Sequence, residues 1–152
     1  MSFYEHLFVR SSLFYLLYTA LTGTAFYVWP GLIPYFKASH VHAGLAGFLL
    51  CMVMGVAYWM MPRPGQIRQE GLEATTYFLL NAGLLLRLIA EPSMLYTGSP
   101  DLRPLLVISG LLQGGAVATF AFAMSRRVFT KERLLQMAEE RKKTMAGPRG
   151  GD

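Results

Sequence analysis

The chain has 152 residues, of which 53% are hydrophobic and only 15% charged, against about 25% charged in a soluble domain. This balance excludes an ordinary water-soluble enzyme and points to lipid as the solvent. The net charge of +5 does not signal nucleic acid, because eight Lys/Arg against four acids from Arg126 onward place +4 of it in the tail. Basic residues just after an apolar helix read as a flank that faces lipid headgroups. The single cysteine, Cys51, can form no disulfide within the chain. The absence of a Cys-x-x-Cys-His run excludes c-type haem attachment.

In chain order, four segments are long and apolar enough to cross about 30 Å of hydrocarbon as helices. The first is Ser12 to Trp29, with no convincing cleavage site at its end, so it reads as a span and not as a signal peptide. The second is Val41 to Met61, the third Leu72 to Ala90, and the fourth Leu105 to Met124. Pro30-Gly31 with Pro34, Pro62 to Gly65, and Pro92 to Pro104 separate them as breaker clusters. Lipid admits only helices or closed barrels, and runs this long are not barrel strands. The expected fold is all-α: an integral membrane four-helix up-down-up-down bundle over residues 1–128. Residues 129–152 form a basic cytoplasmic tail whose Thr130 to Lys143 stretch predicts an amphipathic interfacial helix.

Arg63 and Arg68 between the second and third spans, and the basic tail, place both termini in the cytoplasm of an inner (plasma) membrane protein. His40 and His42 then lie near the outer surface. Tyr27, Trp29, Tyr35 and Tyr96 fit an outer aromatic belt, and Tyr58 and Trp59 an inner one.

Polar groups inside spans carry the functional signal, because each is costly unless satisfied. Two residues along a helix is a rotation of about 200°, so His40 and His42 do not serve one buried metal from one helix face. If the segment is not helical there, the pair can chelate a surface metal. The plain alternative is a helix capped by Ser39 with both imidazoles hydrated. Arg87, in the outer third of the third span, and Glu91 one turn later are spaced to pair. Together with an outer histidine they suit a haem: imidazole to iron, guanidinium to propionate, acid to orient the guanidinium. Ala43, Gly44, Ala46 and Gly47 suit either close helix packing or a flat ligand. Gly110 and Gly114 in the fourth span suit packing, and Asn81 and Gln113 suit bonds between helices.

The stretch HVHAGLAGFLLCMVMGVAYWMMPR, from His40 to Arg63, resembles the second-helix region of the haem-copper oxidase large-subunit superfamily, especially its nitric oxide reductase-like members. YFLLNAGLLLRLIAEP, from Tyr77 to Pro92, is similar to the following helix of short relatives, and the resemblance covers about Leu13 to Pro92. It implies haem b held by His42 or His40, with His42 favoured as the deeper of the two. It also implies Arg87, Gly44 and Gly47 as neighbours of the cofactor. The family's later ligand-bearing helices have no counterpart here, so the chain is not expected to be an enzyme on its own. The second axial ligand would come from another copy or another subunit of a respiratory complex. The implied roles are electron transfer, gas sensing or haem handling. The alternatives are a non-catalytic structural or assembly subunit, or a small metal transporter using the two histidines.

Overall fold

The structure is a computed structural model that describes residues 2–61, 69–127 and 131–145. Arg63, Arg68, the break at Pro62 to Gly65 and the terminal AGPRGGD lie outside the described residues. Among the described residues every element is helical: α1 (Phe3–Val28), α2 (Pro30–Met60), α3 (Glu70–Thr97), α4 (Arg103–Ser125) and α5 (Lys131–Met145). Three helical segments are long and apolar enough to cross a membrane: Pro30–Met60, Glu70–Thr97, and Pro100–Ser125, which is α4 with its leading 3-10 turn. The 26-residue α1 is equally long, but Tyr15, Tyr18, Thr19, Thr22, Thr24 and Tyr27 dilute its apolar character.

The helix boundaries differ most from the sequence expectation in three places. Helix α1 begins at Phe3, not Ser12, behind a capping box of Ser2 and Glu5, and the other two differences involve proline. Helix α2 begins at Pro30, not Val41, because Pro30 and Pro34 occupy first-turn positions, where a missing N–H costs nothing. Helix α3 runs through Pro92 and ends at Gly98, whose φ of 66° closes the helix with its N–H on the Met94 carbonyl. Ser39 therefore caps nothing. It is buried mid-helix, with its hydroxyl 2.8 Å from that of Tyr18. Residues Ala43–Leu50 are π-helical, between α-helical Ile33–His42 and Cys51–Met60.

Small residues set how closely the helices pack. A Cβ on Gly47 would lie 2.5 Å from the Tyr15 ring, and one on Gly55 would lie 2.7 Å from Phe8 Cβ. With Thr19 against Gly44 and His40 against Gly23, these contacts fall on one antiparallel register between α1 and α2. Helix α1 runs parallel to α3, bonded at Ser11 to Tyr77 and at Tyr15 to Asn81. Helix α4 pairs antiparallel with α3 where Gly83 accepts Ser109: a Cβ there would meet Leu112 Cβ and the Ser109 carbonyl at 2.9 Å. Among the described residues a Cβ on Gly110 or Gly114, expected to seat a helix, would meet nothing within 4 Å, while one on Gly115 would face Leu79. The shared core is Phe8, Cys51, Met54, Tyr58, Leu80 and Ala116 with Ala123 and Met124. Leu111, Ile89, Phe14 and Leu21, each more than 60% exposed, belong to an apolar outer surface of the kind lipid covers.

At the end of the bundle that holds Ser2, a polar clasp joins all four long helices. Arg127 is fully buried and donates to the Tyr58 carbonyl at 2.9 Å and to Glu73 Oε1 at 3.3 Å. Glu73 Oε2 accepts from Ser2 Oγ at 2.7 Å, and the Ser2 N–H donates to Glu5 Oε2. The Arg127 guanidinium also lies over the Tyr58 ring, 5.0 Å from its centre. Two expectations are thereby corrected. Arg127 does not belong to the lipid-facing flank, because a fixed carboxylate and a carbonyl hold it inside. Tyr58 is not a belt residue: it is buried, with its hydroxyl 2.8 Å from Thr76 Oγ1.

Candidate functional site

The opposite end of the bundle carries both sequence-predicted histidines, and α2 turns them toward different neighbours. His40 faces α1. Its ring packs against Gly23, where a Cβ would lie 3.2 Å from His40 Cε1, and beside Phe26 at 5.3 Å between ring centres. Its Nδ1 is 2.9 Å from Thr22 Oγ1. The Thr22 hydroxyl has a single proton, used in the helical back-bond to the Tyr18 carbonyl at 2.8 Å. With its proton so used, the Thr22 oxygen is placed to accept from His40 Nδ1, in the tautomer whose lone pair lies on Nε2. His40 also lines an open groove of about 670 Å³ with Gly23, Phe26, Pro30, Ile33 and Lys37.

His42 faces α3. Its Nε2 lies 3.8 Å from Glu91 Oε2, and the same oxygen lies 3.8 Å from Arg87 Nε. Both separations exceed a hydrogen bond, and among the described residues the buried atoms Glu91 Oε2 and Arg87 Nε have no hydrogen-bond partner. The expected pairing of Arg87 with Glu91 is therefore an ion pair at its loosest, shared with an imidazole from the neighbouring helix. His42 also borders a second groove of about 460 Å³ with Ile33, Pro34, Lys37, Ala38 and Val41.

A haem ligand needs a neutral imidazole with one nitrogen held by a second partner and the other free. His40 has one ring nitrogen held in this way by Thr22, and Lys37 in the same groove offers a cation for a carboxylate. His42 fits that need less well, since its Nε2 points at Glu91. Gly44 and Gly47 do not border an open face: Thr19 and Tyr15 fill the space above them. Among the described residues no three of His, Cys, Asp and Glu converge as a metal site, so any metal at His40 takes its other ligands from outside these residues. His6 is exposed on α1, three residues past Phe3 at the clasp end, and does not approach either histidine.

Sequence reasoning missed Thr22, Gly23 and Lys37 as parts of this site. The signal for the first two is position: in antiparallel neighbours, the residues opposite a histidine sit as far before the connecting turn as it sits after. Missing the early start of α2 hid that symmetry. No protein-family model, curated protein or solved structure matches the chain.

Proposed function

We propose that this chain is a small integral membrane protein of four spans, related to the haem-copper oxidase large subunit, that holds haem b at the outer end of its bundle through His40. The alternating directions of α1 to α4 and the apolar outer surface support four spans, with α1 shielded from lipid along its polar side by α2 and α3. The observation that carries the haem reading is the Thr22–His40 hydrogen bond, which holds the ring and leaves Nε2 available beside an apolar groove. The bound haem supplies one-electron transfer or gas binding. The chain's own part is to fix the imidazole, exclude water with Phe26, Pro30 and Ile33, and offer Lys37 to a propionate. Any further ligand to the iron would come from outside the described residues: a gas, a second copy or another subunit of a respiratory complex.

An optical difference spectrum of detergent-purified protein, expressed with ample haem, tests this. Reduced-minus-oxidised Soret and alpha bands are expected, lost in His40→Ala and kept in His42→Ala. Protein that stays colourless overturns the haem reading. A second reading, a non-catalytic structural subunit, is favoured by Glu91 standing against His42 and by the side chains seated over Gly44 and Gly47.

A further inference from the structure

Two neighbouring helices are interrupted at one level. In α2 the interruption is the π-helical stretch Ala43–Leu50, which begins directly after His42. In α3 it is Pro92, directly after Glu91. The Pro92 nitrogen carries no proton for the Leu88 carbonyl, so α3 lacks one bond of its ladder there. Helices bend at prolines and at π turns, and these two interruptions adjoin: His42 Nε2 lies 3.8 Å from Glu91 Oε2. The polar contacts at this level are slack. Arg87 Nε stands 3.8 Å from Glu91 Oε2, and among the described residues neither atom has a hydrogen bond. Contacts this loose lose little when the helices shift. Farther out, Tyr35 of α2 and Tyr96 of α3 pack edge to face with ring centres 5.6 Å apart, which ties the two outer segments together. Farther in, Gly47 against Tyr15, Gly83 against Ser109 and the Arg127 clasp hold a close-packed trunk.

Helix α1 is one uninterrupted α-helix over Phe3–Val28, joined to α2 through Trp29. The groove that His40 lines takes one wall from α1, at Gly23 and Phe26. Its other wall comes from α2 before the π stretch, at Ile33, Lys37 and His40. A continuous wall thus faces a jointed one. Two bonds hold them together: Thr22 to His40 at 2.9 Å and Tyr18 to Ser39 at 2.8 Å. We propose that residues 30–42 and 92–97 form one flap that swings about the His42–Glu91 level, tethered at Trp29, and opens the His40 groove by drawing α2 away from α1. Closure remakes the two bonds to α1. Opening bares the His40 ring and the Gly23 side of the groove to an entering ligand. The flap goes beyond the haem reading and does not depend on what the groove binds.

Double electron–electron resonance on the full chain in nanodiscs, without haem, tests this. Nitroxides on Lys37→Cys with Leu13→Cys report the flap against α1, and on Leu13→Cys with Leu111→Cys they report the trunk. All three positions are exposed, and the native Cys51 is buried. The flap pair is expected to give a distance distribution at least about twice as wide as the trunk pair's, as for a hinge with two populated positions. Pro92→Ala restores the missing N–H and is expected to narrow it. A Thr22→Cys/His40→Cys disulfide bolts the flap shut and is expected to narrow it as well, with the trunk pair unchanged in both. A flap distribution as narrow as the trunk's overturns the proposal. So does breadth that survives both changes, since it then belongs to the labels. Protein that stays colourless with haem while its flap pair behaves as expected is the failure of the haem reading alone.

Discussion

At the scale of single residues, the His40 site depends on Thr22 and Gly23 as much as on the imidazole. Thr22→Val keeps the shape and removes the acceptor, so the ring loses its fixed tautomer. On the proposed haem reading, the expected result is a roughly tenfold or greater loss of haem affinity in titrations, with unchanged far-ultraviolet circular dichroism. At the other end, Arg127→Ala leaves Glu73 buried without its cation. Breaking such a pair costs about 3–5 kcal/mol, read as a large fall in the thermal midpoint in detergent. Arg127→Ala with Glu73→Gln recovers part of it, because the uncompensated carboxylate is then gone. That His40 and His42 face different neighbours, and that Glu91 comes within reach of Arg87, was legible from spacing alone. Which nitrogen of which ring is free was not, because it turns on one hydroxyl proton of Thr22 in another helix. Arg127 was illegible for a related reason: a cation just past an apolar run looks the same whether it meets headgroups or a buried Glu73.

At the scale of elements, α2 carries most of the information and most of the surprise. Its apolar length was plain in the sequence, but its first eleven residues were not, since Pro30 and Pro34 serve equally as breakers and as first-turn residues. The π-helical stretch Ala43–Leu50 was invisible as well, because no composition marks it. Such insertions accompany functional sites, and here one sits directly after both histidines. Deleting Leu45, which is 60% exposed, removes the extra residue and rotates the preceding segment by about 100° against the rest of α2. On the proposed haem reading, the expected outcome is a helical protein by circular dichroism without haem bands. Closer to the core, Gly47→Ala drives a methyl into the Tyr15 ring, and overpacking of that kind costs about 1–3 kcal/mol. A lowered thermal midpoint checks it, and the companion change Tyr15→Leu is expected to restore part of the loss.

At the scale of the whole molecule, the class was the most legible property: an apolar, charge-poor chain with basic residues after its last long helix is a helical membrane protein. The outward placement of Leu111, Ile89 and Phe14 agrees with it. The number of crossings is a sharper matter, because α1 spends its polar side on contacts with α2 and α3 and so reads as less apolar than its neighbours. The proposed four crossings would put both ends of the chain on one side, where the three candidate spans alone would not. Reporter fusions before Met1 and after Asp152 are expected to give the same cytoplasmic signal, and opposite signals would remove α1 from the set of spans.

The glycine seats divide the bundle into two close-packed hairpins. Gly47 and Gly55 lock α1 to α2, and Gly83 locks α3 to α4, with the hydroxyl rungs and the Arg127 clasp stitching the halves together. Each half thus holds its own tightest interface within a single pair of consecutive helices. A gene cut between Met61 and Gln69 and expressed as two separate polypeptides would therefore yield halves that find each other in the bilayer and co-purify.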